Sequence, residues 1–417
     1  MAKALWGKVY LQDIYAGRLE EEPGGRCIFT YDASYLEFRT DRERRQPPIA
    51  HTLPLRPAPY VSERGLHPFF DNLVAEGWFR NAQARALGIA PDNRFALLLG
   101  FGHDLAGGVS VVDPEPAERH TLDHADEATI AALLGRASLS GIQRKLLVVE
   151  DGGTYRPVGP DELSTHIAKL PSGNLTNLLE LEYLTTEAVR ALLPDEEIVS
   201  TEIVRLPSIG EDALIIPRFD RTPTGKRIHF EEFNQLLGKY SGDAKYQGAY
   251  EDMGQFIIGT PLCIPAEADR LLRRILACLL VGNTDAHFKN FAMFHTRDGL
   301  RLTPAYDLVA ASIYPEYQTI ALRLAGAENL AIGSLRAKHL LQMAEGFGIN
   351  EGALLSAIEQ LSKRFPSAME AVERSETGSA PLRDNLRTKM EKRWRASFAL
   401  TGQLSSKRRS RGARTKD

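Results

Sequence analysis

Hydrophobic positions alternate with polar ones in the first part of the chain and recur at helical spacing in the last part. Near the N-terminus, short β-prone runs are separated by glycine and acidic residues, a pattern typical of a small antiparallel sheet. These runs are Val9–Leu11, Asp13–Leu19 and Cys27–Tyr31. After a proline-rich stretch at 47–59, apolar residues at helical spacing predict helix; they are Phe69, Phe70, Leu73, Val74 and Trp78. Glycines at 100, 102, 107 and 108 then predict a turn before a strand at 109–112.

The middle of the chain alternates strands with one helix. The predicted strands are Leu146–Val149, His166–Leu170, Ile198–Val199 with Ile203–Val204, and Leu214–Ile216. An apolar stripe predicts a helix from Asn177 to Leu193. From about residue 229 to residue 402 helical patterns dominate, interrupted by a β-hairpin pattern between Phe291 and Leu302. The chain is therefore predicted to be an α+β protein.

These patterns divide the chain into three blocks and a tail. We predict a β-rich N-terminal subdomain at 1–112, a polar linker, a mixed block at 127–228 and a helical block at 229–402. The tail at 403–417 is rich in lysine and arginine, so it is predicted to be disordered, with weak contact to nucleic acid as an alternative role.

Composition narrows the class of protein without indicating its chemistry. With 51 Lys+Arg against 54 Asp+Glu, the net charge of −3 excludes a strongly basic body that coats nucleic acid. The longest strongly apolar run, Ile275–Val281, is far too short to span a membrane, and three cysteines are too few for a disulfide framework or a zinc site. The N-terminus lacks the apolar core and cleavage site of a signal peptide. A cytoplasmic, multidomain globular protein without a membrane partner is expected.

The segment that follows a predicted buried helix, Gly282–Asn290, carries the strongest chemical signal. Asp285 and Asn290 have the Asp-x4-Asn spacing of a kinase catalytic loop, in which the aspartate meets the substrate hydroxyl and the asparagine holds a metal ion. A second acid, Asp307, follows 17 residues after Asn290, in the order expected of a kinase metal ligand. The alternatives are a polar loop that closes the helix and an ordinary acidic turn.

Two further features are compatible with phosphate binding. Lys169 shares one face of a predicted strand with Thr165 and Ile167, and a lysine on an inner face needs a phosphate or carboxylate partner. On an edge strand it would instead point to water. The turn at Ser138–Lys145 can aim backbone N–H groups at phosphates, although a plain surface turn has the same composition.

Taken in order along the chain, these segments resemble the HipA family of serine/threonine kinases, the toxins of bacterial HipBA toxin–antitoxin pairs. Ser138–Lys145 is similar to the family's phosphate loop, Ser164–Pro171 to its ATP-lysine strand and Ile216–Arg221 to its hinge segment. Asn283–Asn290 and Pro304–Leu308 are similar to its catalytic and metal loops, and 66–73 and 95–112 to its N-terminal subdomain. The resemblance covers roughly residues 5 to 400 and implies a β-rich N-terminal subdomain on a two-lobed, protein-kinase-like body with a mostly α-helical C-lobe.

The resemblance also implies roles for individual residues. Asp285 would be the catalytic base, Asn290 and Asp307 the Mg²⁺ ligands, and Lys169 a contact to the ATP phosphates with Glu182 as its partner. Ser138 falls at the family's inhibitory autophosphorylation site, with Ser140 as the alternative. The other implied ATP-binding residues are Ser140, Gly141, Ile142, Gln143, Arg144, Lys145, Pro217, Arg218, Phe219, His287, Phe288, Lys289, Asn290, Tyr306 and Asp307. Pro217 departs from the family's best-known member, which has an acidic residue there, and proline has no N–H to donate to adenine.

The implied function is an ATP- and Mg²⁺-dependent serine/threonine kinase toxin. Its expected partners are a HipB-like helix-turn-helix antitoxin, operator DNA bound mainly through that antitoxin, and a protein substrate of the translation machinery, such as an aminoacyl-tRNA synthetase. Two rival functions stay open. One is a non-catalytic corepressor that acts with a DNA-binding antitoxin, and the other is a metal-dependent hydrolase that uses Asp285 and His287.

Overall fold

The computed structural model describes residues 5–37, 46–115, 143–159, 162–222 and 224–401. Ser138, Ser140, Gly141 and Ile142 of the predicted phosphate loop lie outside the described residues, as do the tail at 403–417 and most of the predicted linker.

Strands and helices alternate in the first half of the chain, and helices dominate the second half. The strands are β1 (Leu5–Leu11), β2 (Ile14–Glu21), β3 (Cys27–Tyr31), β4 (Tyr60–Ser62), β5 (Val109–Val112), β6 (Lys145–Asp151), β7 (Thr154–Pro157), β8 (His166–Lys169), β9 (Glu202–Leu206), β10 (Glu211–Pro217), β11 (Phe230–Glu232), β12 (Ala292–Thr296) and β13 (Gly299–Leu302). The helices are α1 (Ala33–Glu37), α2 (Pro68–Asp71), α3 (Gly77–Leu87), α4 (Arg94–Phe101), α5 (Leu178–Leu192), α6 (Phe233–Leu236), α7 (Tyr250–Gly259), α8 (Ala266–Val281), α9 (Ala337–Gly346), α10 (Glu351–Glu373) and α11 (Ala380–Arg393). The predicted α+β class is confirmed.

The chain forms two compact units, each made of two separate stretches. Unit 1 comprises 1–172 and 202–244, and unit 2 comprises 173–201 and 245–417. The predicted domain boundaries at 112, 127, 228 and 402 stay predictions.

The first sheet of unit 1 confirms the antiparallel sheet expected near the N-terminus. Its strand order is β4-β3-β2-β1-β5, and each neighbouring pair is antiparallel. Alternate residues of β1 and β3 are buried, so that one face of the sheet packs on a core containing Val9, Phe29 and Phe70.

The second sheet of unit 1 places β8 between two neighbours. The strand order is β7-β6-β8-β10-β9, again with antiparallel pairs throughout. Leu146, Ala168 and Ile215 are buried on one face, where they pack with Phe79 of α3. This order decides the environment of Lys169, because its strand is paired on both sides.

Three predictions about unit 1 and its border with unit 2 are wrong in detail. The helix expected through Trp78 is two helices, α2 and α3, because the side chain of Asn72 turns back to the carbonyl oxygen of Pro68 (2.8 Å) and Gly77 adopts φ 59°. Gly100 belongs to α4, so the turn before β5 begins after it. Ile198 forms only an isolated bridge to Ala305, whereas the second part of that prediction, Ile203–Val204, lies in β9.

Unit 2 is built around two helices that the apolar patterns predict. α8 is buried along most of its length and ends at Gly282, which adopts φ 86° as expected of a C-terminal stop. α5 packs against α10, and β12 pairs with β13 as the predicted hairpin, with Thr296 opposite Gly299. Among the described residues, none of the helices has the length and apolar character needed to cross a bilayer.

Candidate functional site

The loop that carries Asp285 follows α8 at Gly282, where any other residue would collide with neighbouring side chains. A Cβ atom on Gly282 would lie 2.2 Å from Ser312 Oγ and 2.7 Å from the guanidinium carbon of Arg393, in addition to the left-handed φ. Beyond it, the Asp285 N–H donates to Asn283 Oδ1 (3.2 Å), and Thr284 Oγ1 donates to the carbonyl oxygen of Tyr317 (2.7 Å). The loop is therefore fixed by its own side chains.

Asp285 is partly exposed and accepts a hydrogen bond from outside its loop. The hydroxyl of Tyr246 donates to Asp285 Oδ1 at 3.0 Å. A second tyrosine, Tyr250, donates to the carbonyl oxygen of Ala286 at 2.8 Å. Burial raises the pKa of Tyr250 well above its ordinary value of 10.0, so this hydroxyl remains a donor at neutral pH. Both tyrosines brace the loop, one through the carboxylate and one through the backbone.

Asn290 and Asp307, far apart in sequence, are in direct contact. Asn290 Nδ2 donates to Asp307 Oδ2 at 2.6 Å, and Asn290 Oδ1 accepts from the His287 N–H at 2.9 Å. Tyr306 helps to align the two segments, because its hydroxyl donates to the carbonyl oxygen of Lys289 at 2.7 Å. The sequence prediction that these two side chains act together is thus compatible with their geometry.

Asp307 has a backbone conformation that few residue types adopt. Its φ is 57°, in the left-handed region, which aspartate and asparagine enter at lower cost than most residues. Its carbonyl oxygen accepts from Asn283 Nδ2 at 3.4 Å. Contacts to two asparagines therefore help to hold a conformation that turns this carboxylate towards Asn290.

This pair of side chains fits a hard divalent cation. Carboxylate and amide oxygens are the ligands that Mg²⁺ prefers, and Mg²⁺ usually takes only one or two carboxylates from the protein. An amide oxygen has two lone pairs, so Asn290 Oδ1 can serve a cation while it accepts from His287. Asp307 and Asn290 are the residues that would hold the metal.

Lys169 is only 4% exposed and lies on β8, between β6 and β10. This position excludes the alternative of an edge-strand lysine that points to water. In the register of β6 and β8, Lys169 lies directly opposite Lys145. Two lysines at opposite positions of a strand pair place two positive charges on one face of the sheet, which suits the binding of an anionic group such as a phosphate.

The described end of the predicted phosphate loop is tied to the same sheet. Gln143 Nε2 donates to the carbonyl oxygen of Leu170 at 3.1 Å, and Arg144 forms an ion pair with Glu211 at 3.4 Å. Glu182, the predicted partner of Lys169, is buried on α5 in unit 2, whereas Lys169 lies in unit 1. Their pairing stays a prediction.

Two residues of the predicted hinge segment, Pro217 and Arg218, have no backbone N–H left to donate to adenine. Pro217 has no N–H, and the Arg218 N–H donates to the carbonyl oxygen of Thr165 at 2.9 Å. Any hydrogen bond to adenine from these two residues must therefore use their carbonyl oxygens. In the loop after Asp285, the whole of Phe288 is buried, and its ATP contact stays a prediction.

The side chain of Arg218 belongs to a buried ion cluster of Asp104, Arg218, Asp220, Arg221 and Arg227. Arg218 contacts Asp104 at 3.2 Å and Asp220 at 2.7 Å, and Arg221 contacts the same two carboxylates at 2.6 and 2.9 Å. Burial opposes ionisation of Asp104, but the adjacent Arg218 and Arg221 outweigh it and hold the pKa of Asp104 below its ordinary value. The guanidinium of Arg218 is therefore committed to this cluster. The contact with adenine that the resemblance assigns to the backbone of Pro217, Arg218 and Phe219 stays a prediction.

Sequence reasoning missed Asp104 of the ion cluster in unit 1 and Tyr246 beside Asp285 in unit 2. Asp104 carries no motif, and only the unusual charge of Arg218, Asp220 and Arg221 directly after a buried strand could have indicated an ion cluster. Tyr246 gave no signal, since it precedes the loop it contacts by 39 residues.

Comparisons with known proteins agree with the resemblance. A family model described as the HipA-like C-terminal domain matches residues 137–369, and one described as the HipA N-terminal domain matches residues 7–112. A putative kinase of Sinorhizobium fredii, Y4dM, is 30% identical over 390 residues, which cover 87% of this chain and 91% of the relative. The serine/threonine-protein kinase toxin HipA of Shewanella oneidensis is 26% identical over 405 residues, covering 89% of this chain and 90% of the toxin.

Among solved structures, the chain is similar to Shewanella oneidensis HipA in its complex with HipB and operator DNA. The TM-score is 0.74 at 22% sequence identity, and the match covers 95% of this chain and 99% of that one. The likeness shows that the two chains share a fold. With family models covering both its N-terminal and its C-terminal part, the chain belongs to the HipA family of serine/threonine kinase toxins.

Proposed function

We propose that this chain is an ATP- and Mg²⁺-dependent serine/threonine protein kinase that acts as the toxin of a toxin–antitoxin pair. The observation that carries the proposal is the hydrogen bond from Asn290 Nδ2 to Asp307 Oδ2, which places the two predicted metal-binding side chains next to each other, five and 22 residues after Asp285. Family membership supports the kinase class, and the metal, the nucleotide and the residue roles are part of the proposal.

Each residue has a separate task in this proposal. Asp285 accepts the proton of the substrate hydroxyl and orients its oxygen towards the terminal phosphoryl group. Asp307 and Asn290 hold Mg²⁺, which when bound neutralises charge on the phosphoryl oxygens. Lys169, next to Lys145 in the sheet, contacts the ATP phosphates. Positioning and charge neutralisation make the main contribution, because phosphoryl transfer requires little covalent chemistry from the protein.

The biological setting is proposed from relatives. The solved Shewanella oneidensis toxin is in a complex with HipB and operator DNA, and we propose a HipB-like antitoxin that brings this chain to its operator. A component of the translation machinery, such as an aminoacyl-tRNA synthetase, is the proposed substrate. Autophosphorylation at Ser138, or at Ser140, is proposed to switch the kinase off.

Transfer of label from γ-labelled ATP into protein tests the proposal. Asp285→Gln should lower the rate by about 10²- to 10⁴-fold, because a positioned base is lost, while the Kd for Mg²⁺–ATP stays near that of the wild type. Asp298→Asn, in the exposed turn between β12 and β13, is the matched control and should change neither quantity. Phosphate release without labelled protein would indicate the hydrolase, and a wild type without either activity would indicate the corepressor.

A further inference from the structure

The hydrogen bond between Tyr246 and Asp285 joins the proposed base to a residue outside the catalytic loop. Tyr246 is the last residue of a short 3₁₀ turn, Gly242–Tyr246, and the residue is 36% exposed. Its hydroxyl donates to Asp285 Oδ1 at 3.0 Å. The contact lies within unit 2, so it does not depend on how the two units are arranged.

The ring of Tyr246 is held by neighbours on two sides. It packs edge-on against His287, with ring centroids 5.0 Å apart and an interplanar angle of 77°. The ammonium of Lys245, which is 5% exposed, lies 5.3 Å from the Tyr246 ring centroid, within the distance of a cation–π contact. A hydroxyl on a ring fixed in this way donates in a defined direction.

The backbone that follows Tyr246 is also anchored to the loop. A Cβ atom on Gly248 would lie 2.6 Å from two ring atoms of Phe288, so only glycine lets this segment approach so closely. The carbonyl oxygen of Gly248 accepts from the Arg323 N–H at 2.9 Å. Two residues later, the Tyr250 hydroxyl meets the carbonyl oxygen of Ala286.

A tyrosine hydroxyl in this place suits a general base that must also receive a substrate hydroxyl. An ionised carboxylate only accepts hydrogen bonds and has about four lone-pair positions on its two oxygens. One bond from a fixed donor therefore restricts rotation of the carboxylate without using up its capacity to accept another. The hydrogen bond thus restricts the rotamers of Asp285 before the substrate binds, so that this entropy is not lost during the reaction.

We propose that Tyr246 is a positioning residue for phosphoryl transfer, which holds the Asp285 carboxylate in the orientation that receives the substrate hydroxyl. This proposal rests on the proposed function, because it requires Asp285 to act as the base. It goes beyond that function by assigning a role to a residue outside the catalytic and metal loops.

A double-mutant cycle in the full-length chain tests the proposal. The rate of label transfer from γ-labelled ATP is measured for the chain itself and for dephosphorylated casein at saturating Mg²⁺–ATP. Tyr246→Phe keeps the ring and loses the hydroxyl, so the rate should fall about 10- to 150-fold, the loss expected for one hydrogen bond to a charged group. The Kd for Mg²⁺–ATP should not change. In an Asp285→Ala background, Tyr246→Phe should have no further effect, because the acceptor is already gone.

Two control variants at other tyrosines show whether Tyr246 positions Asp285 or only stabilises the fold. Tyr240→Phe, at an exposed tyrosine of unit 1, should leave the rate unchanged. Tyr250→Phe removes a hydrogen bond to the backbone, so any effect it has should persist in the Asp285→Ala background.

The outcomes against the proposal are distinct. A wild-type rate for Tyr246→Phe, an equal loss in both backgrounds, or phosphotyrosine at position 246 would overturn the positioning role and leave the proposed function standing. A wild type that transfers no phosphate to either acceptor would overturn the proposed function, and this role with it.

Discussion

Asp104→Asn removes one negative charge from the interior of unit 1 while it keeps the shape of the side chain. Asp104 Oδ2 accepts from the backbone N–H (3.0 Å) and the hydroxyl (2.8 Å) of Ser164, and Oδ1 accepts from Arg218 (3.2 Å) and Arg221 (2.6 Å). Every one of these partners donates to the carboxylate. An asparagine at this position can place its amide NH₂ at either of the two oxygen positions, and at both of them the NH₂ would face donors.

The size of the effect follows from the charges that remain. The ion cluster holds two carboxylates and three guanidinium groups. Without Asp104, its three arginines would keep one buried carboxylate, Asp220, and the contact of Arg227 with the exposed Asp13 at 3.9 Å. The side chains of Asp104, Arg218 and Arg221 are at most 2% exposed, and solvent cannot compensate for the lost charge. Breaking a buried pair on one side costs about 3–5 kcal/mol, and we expect a loss of this size in the free energy of unfolding of unit 1.

Hydrogen exchange measured by mass spectrometry is the suitable assay, because a chain with two compact units need not unfold in one transition. Peptides covering β8 and β10 should lose protection in Asp104→Asn. Asp151→Asn is the matched control, because its carboxylate is 62% exposed and pairs with Arg156 at the surface. A change of less than about 0.5 kcal/mol is expected for the control. A loss below about 1 kcal/mol in Asp104→Asn would refute the reasoning, since it is far smaller than the cost of an unpaired buried charge.

The same cluster has a defined pH dependence. The pKa of Asp104 in the folded chain lies below its ordinary value of 3.8, so ionised Asp104 stabilises the fold above that value, and this stabilisation is lost as the pH falls towards the folded pKa. The difference in stability between the wild type and Asp104→Asn should be constant near neutral pH and become smaller below about pH 4. A difference that stays constant on acidification would contradict the assignment.

Two further predictions concern the nucleotide site. Asp307→Asn, which removes charge from a proposed metal ligand, should weaken ATP binding at low Mg²⁺, and the affinity should recover partly at high Mg²⁺. Titrations of nucleotide at two Mg²⁺ concentrations check this. Equal affinities of the variant and the wild type at both concentrations would contradict the role. Ser138→Ala should keep its ATP affinity after long incubation with ATP, whereas the wild type should lose affinity. The reason is that a phosphoserine in the proposed phosphate loop would add about −1.5 to −2 charges, which repel the triphosphate. Mass spectrometry that finds Ser138 fully phosphorylated in wild type that still binds ATP normally would exclude the switch.

Local patterns were enough to predict the strands and helices in which buried residues recur at a regular spacing. β3 agrees with its apolar run, and α5 and α8 follow apolar stripes, because one face of each element packs on a core. The stop at Gly282 was also predictable, since a left-handed helix end favours glycine. In the candidate site, Asp285, Asn290 and Asp307 could be predicted from their spacing, because only one loop and one hairpin separate them.

Features that depend on distant residues could not be predicted in this way. The break between α2 and α3 uses Asn72, whose side chain also donates to the carbonyl oxygen of Lys239 at 2.8 Å, 167 residues away. Arg218 is paired with Asp104 across 114 residues of sequence. Periodicity reports which face of an element is buried, but it carries no information on which distant charge will neutralise a buried one.

The division of unit 1 into two stretches has a consequence for the nascent chain. β8 pairs with β10, and between them the ribosome must synthesise 173–201, a stretch that belongs to unit 2. At about 5–20 residues per second, the delay between β8 and β10 lasts on the order of a few seconds. During that time β8 is an edge strand with unpaired backbone groups, which is a template for aggregation. A translation product that stops before residue 211 keeps this open edge permanently, so premature termination within that stretch should give an insoluble fragment.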